Sequence, residues 1–161
     1  GATFIRAENF AFAHVADVRD SQGPGSGLGL AIVNELIGAL GGRIDHELAN
    51  ILLLSMSDLV GIRTLIYDGT SFISLARGEA VIRGKAGDTV SLIPLGGDAT
   101  GVTTQGLDYP LRGEPLLLGP ARGVSNVLSG DRAHVQFEGG LLLVIHTPQA
   151  HLDESEVQGY V

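Results

Sequence analysis

Ile62-Arg63-Thr64-Leu65-Ile66-Tyr67, then Asp68-Gly69, then Thr70-Ser71-Phe72-Ile73-Ser74-Leu75: here the apolar spacing of the chain changes from helical to alternating. A period of two reads as strand, and an Asp-Gly pair between two such runs reads as a tight, hairpin-type turn. Strand-like runs then recur about every ten residues. Ala80-Val81-Ile82 is closed by residues 84–88, and Thr89-Val90-Ser91-Leu92-Ile93 by Pro94 and Gly96-Gly97. Gly101-Val102-Thr103-Thr104 leads to Leu107, and Pro115-Leu116-Leu117-Leu118, Ala133-His134-Val135-Gln136-Phe137 and Leu141 to His146 follow. Such spacing is what a β-sandwich or barrel requires. The expected fold is therefore α+β, with an N-terminal α/β segment over residues 1–69, an antiparallel β-sandwich over 70–147 and a tail over 148–161. Three Asp/Glu residues in that tail, Asp153, Glu154 and Glu156, leave little to bury.

Upstream of the strands lies Gly41-Gly42-Arg43-Ile44-Asp45-His46, running into Glu47-Leu48-Ala49-Asn50-Ile51-Leu52-Leu53-Leu54. Two glycines let the backbone turn tightly and approach a ligand. Arg43, Asp45 and His46 bring three charge chemistries within four residues. The apolar run after them predicts a helix with Asp45 as N-cap or first-turn carboxylate, and its positive N-terminal end would attract a phosphate. The plainer alternative is a turn in which Arg43 and Asp45 form a solvated pair.

Further upstream, Gly23, Pro24, Gly25, Gly27 and Gly29 form a loop, and Leu30, Val33, Leu36, Ile37 and Leu40 share helical spacing, which predicts a helix over 28–40. A glycine-rich loop feeding a helix either cradles phosphates or simply packs on a sheet. Residues 1–20 carry no clean period and predict at most a short helix or strand.

The chain has 161 residues, enough for one medium domain or two small ones. A net charge of −8, from 18 acidic and 10 basic residues, argues against nucleic acid or an acidic membrane as main partner. It leaves room for a local phosphate site, which acts within the screening length. Without cysteine there is no disulfide, thiol nucleophile or thiolate metal site. No apolar run approaches the roughly 20 residues that span a bilayer, and the N-terminus lacks the pattern of a signal peptide, so the expected location is cytoplasmic.

Four ordered motifs resemble the thiamine pyrophosphokinase (thiamine diphosphokinase) family: residues 41–46, residues 87–96 (Gly-Asp-Thr-Val-Ser-Leu-Ile-Pro-Leu-Gly), residues 101–111 (Gly-Val-Thr-Thr-Gln-Gly-Leu-Asp-Tyr-Pro-Leu) and Ser125-Asn126 after Gly123. Together they cover about two thirds of the chain, from 39 to 146. Residues 25–44 are also similar to the glycine box of histidine-kinase ATPase domains, which closes over ATP.

The first resemblance implies transfer of diphosphate from ATP to thiamine, giving thiamine diphosphate and AMP with Mg²⁺, by a homodimer pairing an α/β nucleotide domain, reduced here to a remnant over residues 1–69, with a thiamine-binding sandwich. It implies Arg43 and Asp45 as catalytic, Gly41, Gly42, Arg43 and His46 as nucleotide-binding, Asp45 as metal ligand or holder of a phosphate-bound water, and Ser125 and Asn126 as thiamine contacts. His46 would be either a phosphate donor or a neighbour of the helix cap. The acidic segments that the family carries ahead of the signature have no counterpart here; only Asp17, Asp20 and Ser21 stand near. The alternative is thus a thiamine-binding or regulatory module without turnover. Asp88, Asp98, Asp108 and Asp131 read as turn residues bonding their own backbone. His134 and His146 could face each other across a hairpin, a weak basis for a metal site.

Overall fold

In the computed structural model of the chain, the described residues are 5–6, 34–37, 42–61, 64–150, 152 and 156–157. They fall in two compact units, Gly1–Gly69 and Thr70–Val161.

In the first unit, β1 (Ile5–Arg6), β2 (Asn34–Ile37) and β3 (Thr64–Tyr67) form a parallel set, with Leu36 opposite Ile5 and Ile66. Residues 34–37 are therefore strand rather than the helix that their spacing predicts. The helical spacing of the wider stretch is overridden at these four residues by backbone pairing on both edges, with β1 on one side and β3 on the other. Leu65, Ile66 and Tyr67 are buried.

Helix α1 spans Ile44–Leu53, as the apolar run after the double glycine predicts. Arg43 holds the extended N-cap position without a side-chain capping bond. Glu47 supplies the cap instead, its Oε1 accepting from the Gly42 amide at 2.9 Å. Asp45 and Glu47 both lie in the first turn, where carboxylates complement the helix dipole. At the other end the Ser55 hydroxyl donates to the Leu52 carbonyl at 2.7 Å, and a 3-10 turn follows at Ser57–Leu59. The helix buries Asn50 and is followed by buried Leu54, while Ile44, Leu48 and Leu52, four residues apart, stay exposed.

The second unit is a two-sheet antiparallel sandwich. One sheet has the order β4 (Phe72–Ala76), β11 (Leu142–Thr147), β6 (Thr89–Pro94), β9 (Asn126–Val127). The other has β5 (Glu79–Arg83), β10 (Arg132–Gln136), β7 (Ala99–Gln105), β8 (Arg112–Leu116). Alternation sends one face of each strand inward: Val90, Leu92 and Pro94 of β6 and Ala133 and Val135 of β10 are buried, with their neighbours more exposed. The core between the sheets joins Ile82, Val90, Leu92, Val102, Leu116, Val135, Leu142 and Val144 into one cluster. Burying each such side chain contributes roughly 1.5–3 kcal/mol, which outweighs weak local propensity in the short strands.

His134 and His146 do not face each other. His134 is exposed on β10, opposite Val81 and Gln105, whereas His146 is buried on β11 in the other sheet, opposite Phe72 and Val90. The two strands are consecutive in sequence but cross between sheets, so no hairpin forms. Among the described residues no helix is long and apolar enough to cross a membrane, which says nothing of a β-barrel.

Candidate functional site

Two groups of sequence-derived candidates stand in the two units. In the first, Arg43 and Asp45 close on each other: Nε donates to Oδ1 at 3.1 Å and Nη2 to Oδ2 at 2.6 Å. Oδ1 also accepts from the His46 amide at 3.1 Å. Both side chains are largely exposed, at 73% and 56%, and a fork of this kind in water stabilises little. The Arg43 guanidinium, with help from the His46 amide, holds the Asp45 carboxyl below the usual carboxylate range. Asp45 is thus an ionised, hard oxygen donor of the kind that serves Mg²⁺ alongside substrate phosphates. It offers one ligand, and no group of three or more His, Cys, Asp or Glu is placed to hold a metal among the described residues. His46 is half-buried at the helix start, its amide bonded to the Arg43 carbonyl at 3.0 Å, as a neighbour of the cap would be. Gly41, residues 21–29 with their glycine loop, and Asp17, Asp20 and Ser21 lie outside the described residues.

In the second unit the Gly123–Asn126 corner is fastened to β6. The Leu92 amide donates to the Gly123 carbonyl at 2.9 Å, and the Ser125 amide donates to Ser91 Oγ at 3.0 Å. A Cβ at Gly123 would run into the Leu92 carbonyl oxygen, so only glycine lets the corner lie this close to the strand. Ser125 then adopts φ +61°, while every other described residue with positive φ is a glycine. Left-handed backbone costs a residue with a Cβ roughly 1–2 kcal/mol. A serine held there, exposed on the outside of the sandwich, is an outlier of the sort that collects at functional sites.

Asn126 begins β9 opposite Val90. Its Oδ1 accepts from the amides of Tyr109 and Val127 at 3.0 and 2.9 Å, and its Nδ2 donates to the Tyr109 carbonyl at 2.7 Å. Both lone pairs and one of two N–H groups are thereby spent on backbone.

Sequence reasoning missed three residues. Ser91 anchors the corner, Tyr109, 71% exposed, bonds through its backbone to the Asn126 side chain, and Asp88 pairs with His146 in the interior. Asp88 does make the turn bond expected of it, from the Lys85 amide at 2.8 Å, but it is buried and bonded to His146 as well. A Tyr-Pro pair between glycine turns was the one local signal for Tyr109; the other two depend on contacts that sequence spacing does not encode.

By fold and corner alone the second unit is an antiparallel sandwich carrying one strained, exposed turn at a sheet edge. Residues 77–142 match the family model described as thiamin pyrophosphokinase, vitamin B1 binding domain. The chain is 31% identical over 115 residues to thiamine pyrophosphokinase of Bacillus subtilis (strain 168), covering 70% of this chain and 54% of that protein. It is 32% identical over 114 residues to thiamine pyrophosphokinase 2 of Oryza sativa subsp. japonica, covering 67% and 42%. The crystal structure of the Bacillus subtilis enzyme aligns with a TM-score of 0.67 at 29% identity, over 73% of this chain and 57% of that one. These matches support placing the sandwich in the thiamine pyrophosphokinase family, as its vitamin B1 binding domain. The chain spans about half the length of the curated relatives it matches.

Proposed function

We propose that this chain carries the thiamine-binding sandwich and part of the nucleotide-handling segment of a thiamine diphosphokinase, cytoplasmic and working as a homodimer. In the reaction the hydroxyethyl oxygen of thiamine attacks the β-phosphorus of ATP. The bond to the α-phosphate breaks, AMP leaves, and the hydroxyl proton is lost, giving thiamine diphosphate.

Such a transfer rests on positioning and charge neutralisation. Arg43 would give up part of its fork to Asp45 and receive phosphate oxygens, which it binds in the same planar geometry. Gly41 and Gly42 would let the triphosphate approach the backbone, and His46 and the first amides of α1 would face it. Asp45 would lend one carboxylate to Mg²⁺, which when bound neutralises phosphate charge. The Ser125 hydroxyl, with donor and acceptor capacity, suits the aminopyrimidine edge of thiamine.

The observation that carries this reading is Ser125, a non-glycine in left-handed backbone, anchored to β6 within the stretch that matches the vitamin B1 binding domain. A second reading, a thiamine-binding or regulatory module without turnover, is favoured by the Arg43–Asp45 fork being closed on itself. Calorimetry with thiamine alone and with a non-hydrolysable ATP analogue alone tests each pocket, and thiamine-dependent release of AMP decides between the two readings. Absence of thiamine binding would overturn both.

A further inference from the structure

Strand β5 (Glu79–Arg83) stands at the end of its sheet and pairs with β10 alone. The Gly84 amide donates to the Asp131 carbonyl at 3.0 Å and the Phe137 amide to the Gly78 carbonyl at 2.8 Å, both in register with the ladder. Successive residues of an antiparallel strand offer their N–H and C=O to opposite sides. Even-numbered residues of β5 therefore bond to β10, and Glu79, Val81 and Arg83 turn their backbone groups off the edge of the sheet. Among the described residues those groups have no partner.

A row of open N–H and C=O groups is a template for another strand, and a chain that does not use it blunts it. β8, at the far end of the same sheet, is blunted: it contains Pro115, its Gly113 has φ +90°, and its pairing with β7 shifts register. β5 has none of these devices. It pairs in unbroken register, contains neither Pro nor Gly, and presents exposed Val81 between exposed Glu79 and Arg83.

The charges say which strand fits. Glu79 and Arg83 flank Val81 symmetrically, so an antiparallel copy centred on Val81 sets Glu79 against Arg83 of the partner subunit, and Arg83 against Glu79 of the partner subunit. All the outward residues then fall in hydrogen-bonded pairs, and Ala80 falls opposite Ile82 of the partner subunit, which keeps the apolar side of both strands inward. Within its own sheet Arg83 stands directly opposite Arg132, and like charges so placed repel. Neither Arg83 nor Glu79 has an ion-pair partner among the described residues. A second copy supplies both.

We propose that the β5 edge is the surface on which two copies of this chain pair, antiparallel about Val81, so that their two four-stranded sheets become one. The inference rests on the homodimer of the reading above, to which it gives a surface, and is independent of thiamine binding.

Sedimentation equilibrium of the whole chain tests this. The parent is expected to shift with concentration from 16.7 kDa toward twice that mass. Glu79→Arg sets arginine against arginine in both symmetry-related pairings, and Arg83→Glu sets glutamate against glutamate. Each alone should weaken the dimer about tenfold or more. The two single variants mixed should form a heterodimer as tight as the parent dimer, because every pairing is again opposite in sign. Val81→Pro removes an outward N–H and no bond to β10, so it should abolish pairing while circular dichroism shows the chain still folded. Single variants as dimeric as the parent would overturn the edge and leave the homodimer on another surface. A mixture that stays monomeric would overturn the register about Val81. A parent that is monomeric at every concentration would overturn the homodimer and this inference together, with thiamine binding still measured by calorimetry.

Discussion

The imidazole of His146 and the carboxylate of Asp88 are joined inside the sandwich, with Nε2 and Oδ2 2.9 Å apart and side chains 6% and 2% exposed. Asp88 also accepts from the Lys85 amide at 2.8 Å and the Gln149 amide at 3.0 Å, so the pair ties the start of β6 to the end of β11 across 58 positions of sequence. Burial by itself raises the Asp88 carboxyl, but the two amides and His146 outweigh it and leave the group below its ordinary value. For His146 burial is the larger effect and outweighs the pull of Asp88, lowering its pKa. The pair is therefore a neutral imidazole donating its Nε2–H to a carboxylate, with the Phe72 ring 6.1 Å from the imidazole.

A pH dependence follows with a definite sign. His146 titrates lower in the folded chain than in the unfolded one, so between those two values the unfolded chain holds more protons. Its contribution to stability is complete above about pH 6.5 and is lost as pH falls below that toward the folded value. Asp88, also lowered, adds a second loss that begins below about pH 4. Melting temperature is expected to be flat near neutrality and to fall in both windows. In His146→Gln the upper decline disappears, while the lower one remains. A variant profile that parallels the parent through pH 5–6.5 would refute the neutral-imidazole assignment.

Gly84 is the residue that gives this pair its room. A Cβ built on it stands 2.5 Å from Asp88 Oδ2 and 2.8 Å from Nε2 and Cε1 of His146. Both side chains are buried and bonded to each other, and two amides hold Asp88 as well, so they do not swing away as a surface side chain would. Gly84→Ala is expected to cost about 1–3 kcal/mol, in the range of overpacked cores, and to lower the melting temperature by roughly 3–10 °C. Thermal denaturation followed by circular dichroism measures it. A change within error would show that the turn moves freely and the pair is not a fixed clamp.

How far the sequence foretells these features depends on the range of the contact involved. The sandwich strands are legible because each buries every second residue, as Val90, Leu92 and Pro94 do in β6. Helix α1 is legible from the glycines and the carboxylates that bracket its start. Asn34–Ile37 misleads because Leu36 and Ile37 share the helical spacing of the residues around them, and only the partners on both edges make the segment a strand. β9 is two residues long, too short to show a period. The family resemblance implies Asn126 as a thiamine contact, while the bonds of its side chain to the backbone of Tyr109, 17 residues away, are a pairing that sequence spacing does not encode. The His146–Asp88 pair leaves no local trace at all.

Ser125 allows stability and binding to be separated. Replacing it by glycine removes a Cβ from left-handed backbone at φ +61° and keeps the amide that donates to Ser91. Stability is expected to rise by up to about 1 kcal/mol, less the added entropy of the unfolded glycine. Thiamine affinity is expected to fall about tenfold, the loss of one hydrogen bond of roughly 1.5 kcal/mol. Ser125→Gly that is both more stable and equally tight in calorimetry would show that the hydroxyl touches nothing, and would remove Ser125 from the site.

Arg43 tests the other candidate group. Its only described side-chain partner is Asp45, and the pair is exposed and screened by solvent, so deleting it removes almost nothing from the fold. Arg43→Ala should leave the melting temperature unchanged within error. A guanidinium that meets phosphate oxygens is worth far more than one paired in water, because the charge-assisted bonds form at a site from which the ligand excludes solvent. Binding of the ATP analogue should therefore weaken about tenfold or more, the equivalent of one charge-assisted bond, with thiamine affinity untouched. Asp45→Asn makes the complementary case: it frees Arg43 from its fork, so analogue binding without Mg²⁺ should hold or improve, while the gain on adding Mg²⁺ shrinks. If Arg43→Ala alters neither analogue affinity nor melting, the loop before α1 is a turn and nothing more.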